Sequence, residues 1–344
     1  MKLSVLDQST ASKGKTQDVA IRETLALARH CDALGYHRYW VSEHHNSGNI
    51  VGTAPEVLMA AIAATTPRIR VGSAGVMLPH YSALKVAEQF RVLEAIAPGR
   101  IDLGIGRAPG SDGLTAHALN PNPQDVQDQY PRQVQELQHW VSGTPLPDGH
   151  PYSKIFAQPK GPGTPDIWIL GSSDYGAQLA AYLGFPYAFA YFFSGGAGVE
   201  QALDLYRRTY RPSEHCPQPN ATICVWALAA DTEEEAWRLY KSRERSSIDR
   251  EFGVRQPLIS PEEAASRTFT AAEAAVAEKL RRKSIVGTAA QVGTKLRELA
   301  QRLELDELVV VTWTYDPEPR HRSYELLARE FGLGPVAAAV TTPA

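Results

Sequence analysis

The chain has 344 residues, of which 43% are hydrophobic and 21% charged, and this is the composition of an ordinary globular protein rather than of a disordered one. The formal net charge of −3 provides no positive field for a polyanion, so nucleic acid is not expected as a partner. The N-terminus becomes polar too soon for a secretory signal, and no apolar run is long enough to span a membrane, so we expect a cytoplasmic protein with no membrane partner.

Short apolar runs alternate with helical patterns along the chain, which is typical of a parallel β/α fold. The first half contains four predicted strands, at residues 3–7, 38–42, 69–78 and 100–106. The first three are followed by predicted helices at residues 18–34, 54–64 and 84–96. Gly35 is expected to end the first of these helices as a C-terminal cap.

The second half continues the alternation after a longer excursion. Four further strands are predicted at residues 166–170, 187–193, 221–230 and 307–315, with helices at 124–140, 175–184, 199–210 and 291–303. The Pro- and Gly-rich stretch from 145 to 165 is expected to form a surface hairpin. Residues 242–283 are charged, helix-prone and poor in strand signals.

Eight strands with interleaved helices in a chain of this length favour an α/β fold of the closed (β/α)8 TIM barrel type over an open doubly wound sheet. We therefore predict a single barrel domain over residues 1–344. In such barrels the active site lies at the carboxyl ends of the strands. The residues that directly follow each strand are accordingly the first candidates for a site.

Glu43, His44 and His45 form a polar cluster at the end of the second predicted strand. Adjacent residues in an extended chain point in opposite directions, so two neighbouring histidines cannot easily bind one ion together, and no H-x-x-x-H spacing occurs. A metal site is therefore the weakest interpretation. Acid–base or hydrogen-bonding work at a ligand is favoured, and a purely structural role is the alternative.

A second candidate site follows the fifth predicted strand, where Gly171, Ser172 and Ser173 precede a helix. The first amides of a helix have no partner within it, and together with the positive end of the helix dipole they attract an anion. Arg107, at the end of the fourth predicted strand, can add a full positive charge and a fork for phosphate oxygens. The pattern indicates a phosphate site, with simple N-capping of the helix by a serine as the alternative.

The third predicted strand carries the small residues Ser73, Ala74 and Gly75 where bulky side chains are expected. Small residues inside a strand mark a close approach, so a flat ring against this strand and tight barrel packing both stay open. Residues 104–106 contain G-x-G without the continuation of a dinucleotide fingerprint. A single phosphate and a flat ring in a barrel mouth suggest flavin mononucleotide (FMN) or a deazaflavin.

These motifs, in this order, resemble the bacterial luciferase-like flavin monooxygenases, and among them the non-luminescent members. The similarity covers nearly the whole chain and includes GYHRYWVSEHHN, VGSAGVMLPHYSALKVAEQF, LEAIAPGRIDLGIGRAPGSD, ILGSSDYGAQLAAYLGFPYAFAYFF and IVGTAAQVGTKLRELA. The resemblance implies an enzyme that uses reduced FMN, supplied by a separate flavin reductase, and O2 to oxidise a small organic substrate. The alternatives are a hydride-transfer enzyme with a deazaflavin, a non-catalytic flavin-binding protein and a metal-dependent barrel hydrolase or aldolase.

The resemblance also implies roles for individual residues. His44 corresponds to the catalytic histidine of the family, with Glu43 and His45 in support. The flavin ring is expected on a non-proline cis peptide between Ala74 and Gly75. The other residues expected to bind the flavin are Arg107, Ser172, Ser173, Tyr175 and Gly176 at the phosphate, Leu170 and Gly171 beside the ribityl chain, Tyr191 under the ring, and Gly106.

Some features depart from the family pattern or depend on it alone. Luminescent members carry a reactive cysteine and a glutamate at the positions of Gly106 and Ser172, so light emission from a long-chain aldehyde is not expected. Residues 242–283 fall where relatives carry a mobile lid after the seventh strand, and such a lid would exclude water from the reaction. A homodimer is implied, with the helix in APEVLMAAIAAT as a candidate contact and ordinary barrel packing as the alternative for that helix.

Overall fold

Strands and helices alternate along the computed structural model, which describes residues 1–121 and 126–334. The strands are β1 (Lys2–Asp7), β2 (Arg38–Val41), β3 (Arg70–Ser73), β4 (Val76–Met77), β5 (Ile101–Gly106), β6 (Asp166–Gly171), β7 (Tyr187–Phe189), β8 (Ala221–Ala230), β9 (Ile285–Thr288) and β10 (Glu307–Val311). The helices are α1 (Gln17–Leu34), α2 (Pro55–Thr65), α3 (Ala83–Ile96), α4 (Gly113–Leu119), α5 (Val126–Ser142), α6 (Asp174–Leu183), α7 (Tyr191–Ser194), α8 (Val199–Thr209), α9 (Glu233–Glu251), α10 (Pro261–Ser266), α11 (Ala271–Lys283), α12 (Ala289–Arg302) and α13 (Pro317–Glu330).

The sheet closes into a barrel because the strands at the two ends of its order, β10 and β8, pair directly with each other. The strands follow the order β10-β1-β2-β3-β5-β6-β7-β8, and β10 also pairs with β8. All of these pairings are parallel. The predicted (β/α)8 barrel is therefore confirmed.

Most of the predicted elements are found within a residue or two of their expected bounds. Gly35 ends α1 with a φ of 86°, in the left-handed region that favours glycine, so the predicted cap is confirmed. The predicted strand at 69–78 is interrupted, with β3 and β4 each pairing with β5 on either side of Ala74 and Gly75. The helix predicted at 124–140 corresponds to α5, and residues 124 and 125 lie outside the described residues.

Several predictions were wrong in detail. The stretch from 145 to 165 contains turns and no strand, because its six prolines lack the amide that a hairpin ladder needs. The predicted strand at 187–193 ends at Phe189, since the amide of Gly196 closes onto the carbonyl of Tyr191 and forms the short helix α7. The last strand ends at Val311 rather than at residue 315. The elements α4, β9 and α13 were not predicted.

Two layers of buried side chains hold the barrel together. One lies between the strands and the outer helices, and the other fills the barrel, where Trp40 and Trp168 meet edge to face at 5.2 Å between ring centres. At the amino ends of the strands, buried Arg38 donates to both oxygens of buried Asp102 at 2.9 and 2.8 Å and to Glu307 at 2.9 Å. This network closes one end of the barrel and leaves the carboxyl ends for the site.

The segment after β8 forms α9, α10 and α11, and α9 packs against both β8 and β9. These helices occupy the position of the predicted lid at residues 242–283, whose mobility stays a prediction. No helix in residues 1–121 and 126–334 combines the length and apolarity that a membrane crossing requires.

Candidate active site

A cavity of about 410 Å³ opens at the carboxyl ends of the strands, and we call it the main cavity. Twelve of the residues predicted for the site line it: Glu43, His44, Ala74, Gly75, Gly106, Arg107, Leu170, Gly171, Ser172, Ser173, Tyr175 and Gly176. These residues come from the ends of four strands and from the first turn of α6. Residues scattered over more than 130 positions of the sequence are thus brought to one concave surface.

Two predicted residues lie elsewhere. His45 lines an adjoining cavity of about 230 Å³, which we call the second cavity. Tyr191 lines a third cavity, also of about 230 Å³, and not the main one. Its neighbours Phe192 and Phe193 line the main cavity instead, because the chain turns into α7 at this point and does not continue as a strand. The same segment therefore brings two other aromatic rings to the main cavity.

His44 lies on the wall shared by the main and second cavities. Its amide donates to the carbonyl of Gly52 at 3.0 Å, and its Nδ1 lies 3.2 Å from the hydroxyl of Ser42. Burial lowers the pKa of His44 to about 4, with a smaller contribution from the charge of neighbouring His45. The imidazole is consequently neutral at neutral pH, and its Nε2 is the atom that can exchange a proton with a ligand.

Glu43 is buried and acts as the anchor of the cluster. One of its carboxylate oxygens accepts a hydrogen bond from Tyr81 at 2.6 Å and lies 2.8 Å from Nε2 of His45. The other oxygen accepts from the amide of Met77 at 3.0 Å. Glu43 thereby ties the end of β2 to β4 and to the loop beyond it, and it fixes the backbone that carries His44.

The small residues of the third predicted strand reflect both close packing and an open cavity. A Cβ at Gly75 would lie 2.8 Å from the carbonyl oxygen of Gly104, and one at Gly104 would lie 2.0 Å from that of Ser73. Such distances are too short, so β5 can approach this segment only through glycine. The Ala74–Gly75 peptide is cis, as the resemblance implied, and both residues line the main cavity. In contrast, a Cβ at Gly106 would meet nothing within 4 Å.

The first turn of α6 presents amides to the main cavity. Ser173 is its N-cap residue, yet its side chain makes no capping hydrogen bond, so the capping alternative for this serine is wrong. A Cβ at Gly171 would lie 3.5 Å from the Cα of Gly176, which shows how closely the end of β6 meets the helix. This close approach lets a ligand reach the unpaired amides of the helix.

Arg107 lies beside this helix terminus. Its guanidinium carbon is 3.8 Å from the centre of the Tyr175 ring, a cation–π contact that holds the side chain over the first turn of α6. In the part of the chain that the structure describes, Arg107 has no carboxylate within salt-bridge distance. Tyr130, on α5, also lines the main cavity, and its buried hydroxyl has no hydrogen-bond partner among residues 1–121 and 126–334. A positive charge and a free donor therefore face the same helix terminus.

Sequence reasoning missed several residues of this surface. Gln8, Met77, Tyr130 and Cys224 line the main cavity, and Trp226 and Arg243 line the second. Trp313, inside the predicted strand at 307–315, also lines the second cavity. Tyr130 and Arg243 lie on helices, where the strand-end rule gives no signal. Within residues 1–121 and 126–334, no group of three or more histidine, cysteine, aspartate or glutamate side chains is placed to hold a metal ion.

The chain is similar over its length to proteins of one family. The model of the luciferase-like monooxygenase family matches residues 1–306. The protein YwcH of Bacillus subtilis (strain 168) is 44% identical over 96% of this chain and 98% of its own length. The N-acetyl-S-alkylcysteine monooxygenase of the same organism is 37% identical over 95% of this chain and 97% of its own length.

Solved structures agree with these sequence relationships. The crystal structure of apo-MsnO8 matches with a TM-score of 0.88 and 36% identity, over 97% of this chain and 99% of that one. The oxygenating constituent of 3,6-diketocamphane monooxygenase from Pseudomonas putida, in complex with FMN, has a TM-score of 0.71 at 20% identity, over 97% and 98% of the two chains. An F420-dependent secondary alcohol dehydrogenase has a TM-score of 0.67 at 14% identity, over 96% and 98%. The last two show the fold alone, whereas the family model and the closer relatives establish that this chain belongs to the luciferase-like monooxygenases.

Proposed function

We propose that the protein is a monooxygenase that uses reduced FMN and O2 to oxidise a small organic substrate. The main cavity carries this proposal, because it joins a phosphate-sized anion cradle at α6 to an imidazole and a strand of small residues. A relative at 37% identity is named as a monooxygenase, whereas the F420-dependent neighbour is only 14% identical. The closer relationship favours oxygen chemistry over hydride transfer with a deazaflavin.

One end of the main cavity fits the phosphate of FMN. Arg107 supplies a charge without a carboxylate partner in the described residues, and the first turn of α6 supplies unpaired amides. The unpartnered hydroxyl of Tyr130 supplies a further donor. In the proposal these groups hold the phosphate together with the hydroxyls of Ser172 and Ser173.

The other end fits the flavin ring and the reaction. Bound reduced FMN would supply the electrons that activate O2. Ala74 and Gly75 offer a wall without bulky side chains, and Phe192 and Phe193 help to keep water out. His44, neutral and held through its Nδ1 by Ser42, can donate or accept a proton at Nε2 where the two cavities meet. Glu43 and His45 position this histidine in the proposal.

The electrons would arrive with the flavin. The G-x-G stretch at residues 104–106 lacks the continuation of a dinucleotide fingerprint, so we propose no nicotinamide site on this chain. A separate flavin reductase would supply reduced FMN, and the two proteins would meet only transiently.

The first experiment is an anaerobic titration of the protein with reduced FMN and, separately, with reduced deazaflavin, followed by quenching of its tryptophans. Air is then admitted and O2 consumption and substrate oxidation are measured, with and without a flavin reductase and NADH as the source of reduced FMN. Tight binding of reduced FMN, with O2 consumption that requires it, is the expected result. Preference for the deazaflavin without O2 consumption would replace the proposal with hydride transfer, and flavin binding without any turnover would leave a flavin-binding protein.

Replacing Arg107 tests the phosphate end separately. Arg107→Ala should weaken FMN binding by about tenfold to a hundredfold, because it removes charge-assisted hydrogen bonds to the phosphate. Riboflavin, which has the same ring and no phosphate, should lose little affinity. The control is Arg208→Ala, because Arg208 is an exposed arginine of α8 that pairs with Asp204 and does not line the main cavity. Equal losses for FMN and riboflavin in fluorescence titrations would contradict the phosphate role of Arg107.

A further inference from the structure

The second cavity adjoins the main cavity and shares part of its wall. His44, Phe192 and Phe193 line both cavities, so a molecule in the second cavity can extend past the imidazole toward the proposed flavin ring. Its volume of about 230 Å³ suits a small organic molecule. Ile50 and the rings of Trp226 and Trp313 give it an apolar lining.

Arg243 is the unusual residue of the second cavity. It lies on α9, and only 7% of its surface is exposed. Its guanidinium carbon lies 4.8 Å from the Trp313 ring centre and 5.6 Å from that of Trp226. In the described part of the chain the guanidinium makes no salt bridge, and its Nε is buried without a hydrogen-bond partner. Cation–π contacts offset only part of the cost of removing such an ion from water.

Two buried carboxylates near Arg243 on the same helix are already engaged. Asp249 lines the second cavity, but it accepts from Nε of Arg245 at 2.7 Å and from Gln256 at 2.6 Å. Glu244 is paired with Lys241 at 3.1 Å and with Arg281. Arg250 and Arg255 also line the second cavity and make no salt bridge among the described residues. The local charge is therefore positive and uncompensated.

Other polar groups of the second cavity share the same excess of donors. The indole N–H groups of Trp226 and Trp313 are buried and have no acceptor among the residues that the structure describes. Arg243 also lines the third cavity, where Lys279 adds positive charge and exposed Glu251 is the only carboxylate among the described lining residues. A ligand that satisfies these groups must carry hydrogen-bond acceptors and negative charge.

We propose that the substrate is a small carboxylate whose anionic end is bound by Arg243 and whose apolar part passes His44 into the main cavity. This inference rests on the proposed function, because it places the oxidised end of the substrate beside the flavin. Arg243 is then a specificity-determining residue. Its guanidinium, which makes no salt bridge with the described residues, forms an ion pair with the carboxylate of the substrate.

The test compares hexanoate with hexanamide, which are similar in size and differ in charge, by calorimetric titration of the FMN-loaded protein. The wild-type protein should bind hexanoate about tenfold or more tightly than hexanamide. Arg243→Met should abolish this preference, and Arg243→Lys should keep part of it. The matched control is Arg238→Met, on the same helix, because Arg238 points outward to Glu235 and Glu262.

The variant Arg243→Met should fold, because methionine replaces a buried charge that makes no salt bridge with any described residue, and its melting temperature should equal or exceed that of the wild type. Its FMN titration should be unchanged, which separates this proposal from the flavin site. Equal binding of the two probes by the wild type, or a preference that survives in Arg243→Met, would overturn the inference. Failure of the wild type to bind FMN would defeat the proposed function instead, and the probe comparison can then be made on the flavin-free protein.

Discussion

His44 shows how much of the proposed chemistry depends on the environment of one side chain. Because burial keeps its imidazole neutral, turnover should be nearly independent of the His44 charge above pH 6 and should fall as the pH approaches about 4. His44→Gln should leave FMN binding within a few-fold of the wild type and lower product formed per O2 consumed by about a hundredfold or more. If the variant forms as much product per O2 consumed as the wild type, His44 takes no part in the reaction.

The same lowered pKa makes a prediction about stability. The pKa of His44 is about 4 in the folded protein and near 6.5 when exposed, so the unfolded chain binds more protons between these values. The contribution of buried, neutral His44 to the free energy of unfolding is complete above pH 6.5 and is lost as the pH falls from 6.5 to about 4. His44→Gln should therefore flatten the decline of melting temperature from pH 6.5 to 4. His37→Gln is the control, because burial also lowers the pKa of His37 to about 4, but His37 lies beside the closed end of the barrel and should not affect turnover.

Single residues were predictable from the sequence where they follow a strand. Arg107 and Ser172 were found because a strand end in a barrel faces the site whatever the surrounding sequence. Tyr191 begins one turn of helix and lines the third cavity rather than the main one, so its place under the flavin ring stays a prediction. Tyr130 and Arg243 reach the cavities from helices, and their placement depends on packing between distant elements that no local pattern specifies.

At the scale of elements, α2 and α3 expose apolar side chains that ordinary barrel packing does not use. Val57 is 65% exposed, Val92 48% and Ile96 46%. We expect this face to form the contact of a homodimer. A Val57→Lys, Ile96→Lys double variant should shift the sedimentation coefficient from that of a dimer to that of a monomer. Leu114→Lys, on α4 and 81% exposed, is the control, and a wild-type protein that sediments as a monomer would contradict the prediction.

We could predict whether a segment is a helix or a strand where its apolar residues repeat at one spacing over two or more helical turns or along a whole strand. The helices α1, α3 and α12 were found because their apolar positions repeat at helical spacing. The predictions of the hairpin at 145–165 and of the end of the strand at 187–193 were wrong, because proline and local turn hydrogen bonds override an apolar composition there. Strand β9 has four residues and pairs with the carboxyl end of β8, and four residues are too few to show the alternation of apolar and polar side chains that predicts a strand.

For the whole molecule, the count of eight strands predicted the barrel, while the network that closes its amino end was not foreseen. Asp102→Ala should lower the free energy of unfolding by about 3–5 kcal/mol, because it leaves buried Arg38 without one of its partners. Asp166→Ala is the matched control, since Asp166 is 54% exposed, also pairs with Arg70, and should cost about 1 kcal/mol or less. Urea unfolding measures both variants, and equal losses in the free energy of unfolding would mean that the strength of these ion pairs does not depend on burial.

Two glycines on β5 differ in whether the barrel leaves room for a side chain. Gly104 cannot accept a Cβ without displacing Ser73, whereas Gly106, two residues along the same strand and facing the same way, has open space in front of it. A side chain at Gly106 would therefore narrow the main cavity, where we propose that the flavin binds, without displacing the backbone of the barrel. A lineage could thus change the fit of its cofactor one residue at a time while its architecture stays constant, and engineering of the cofactor site can begin at Gly106.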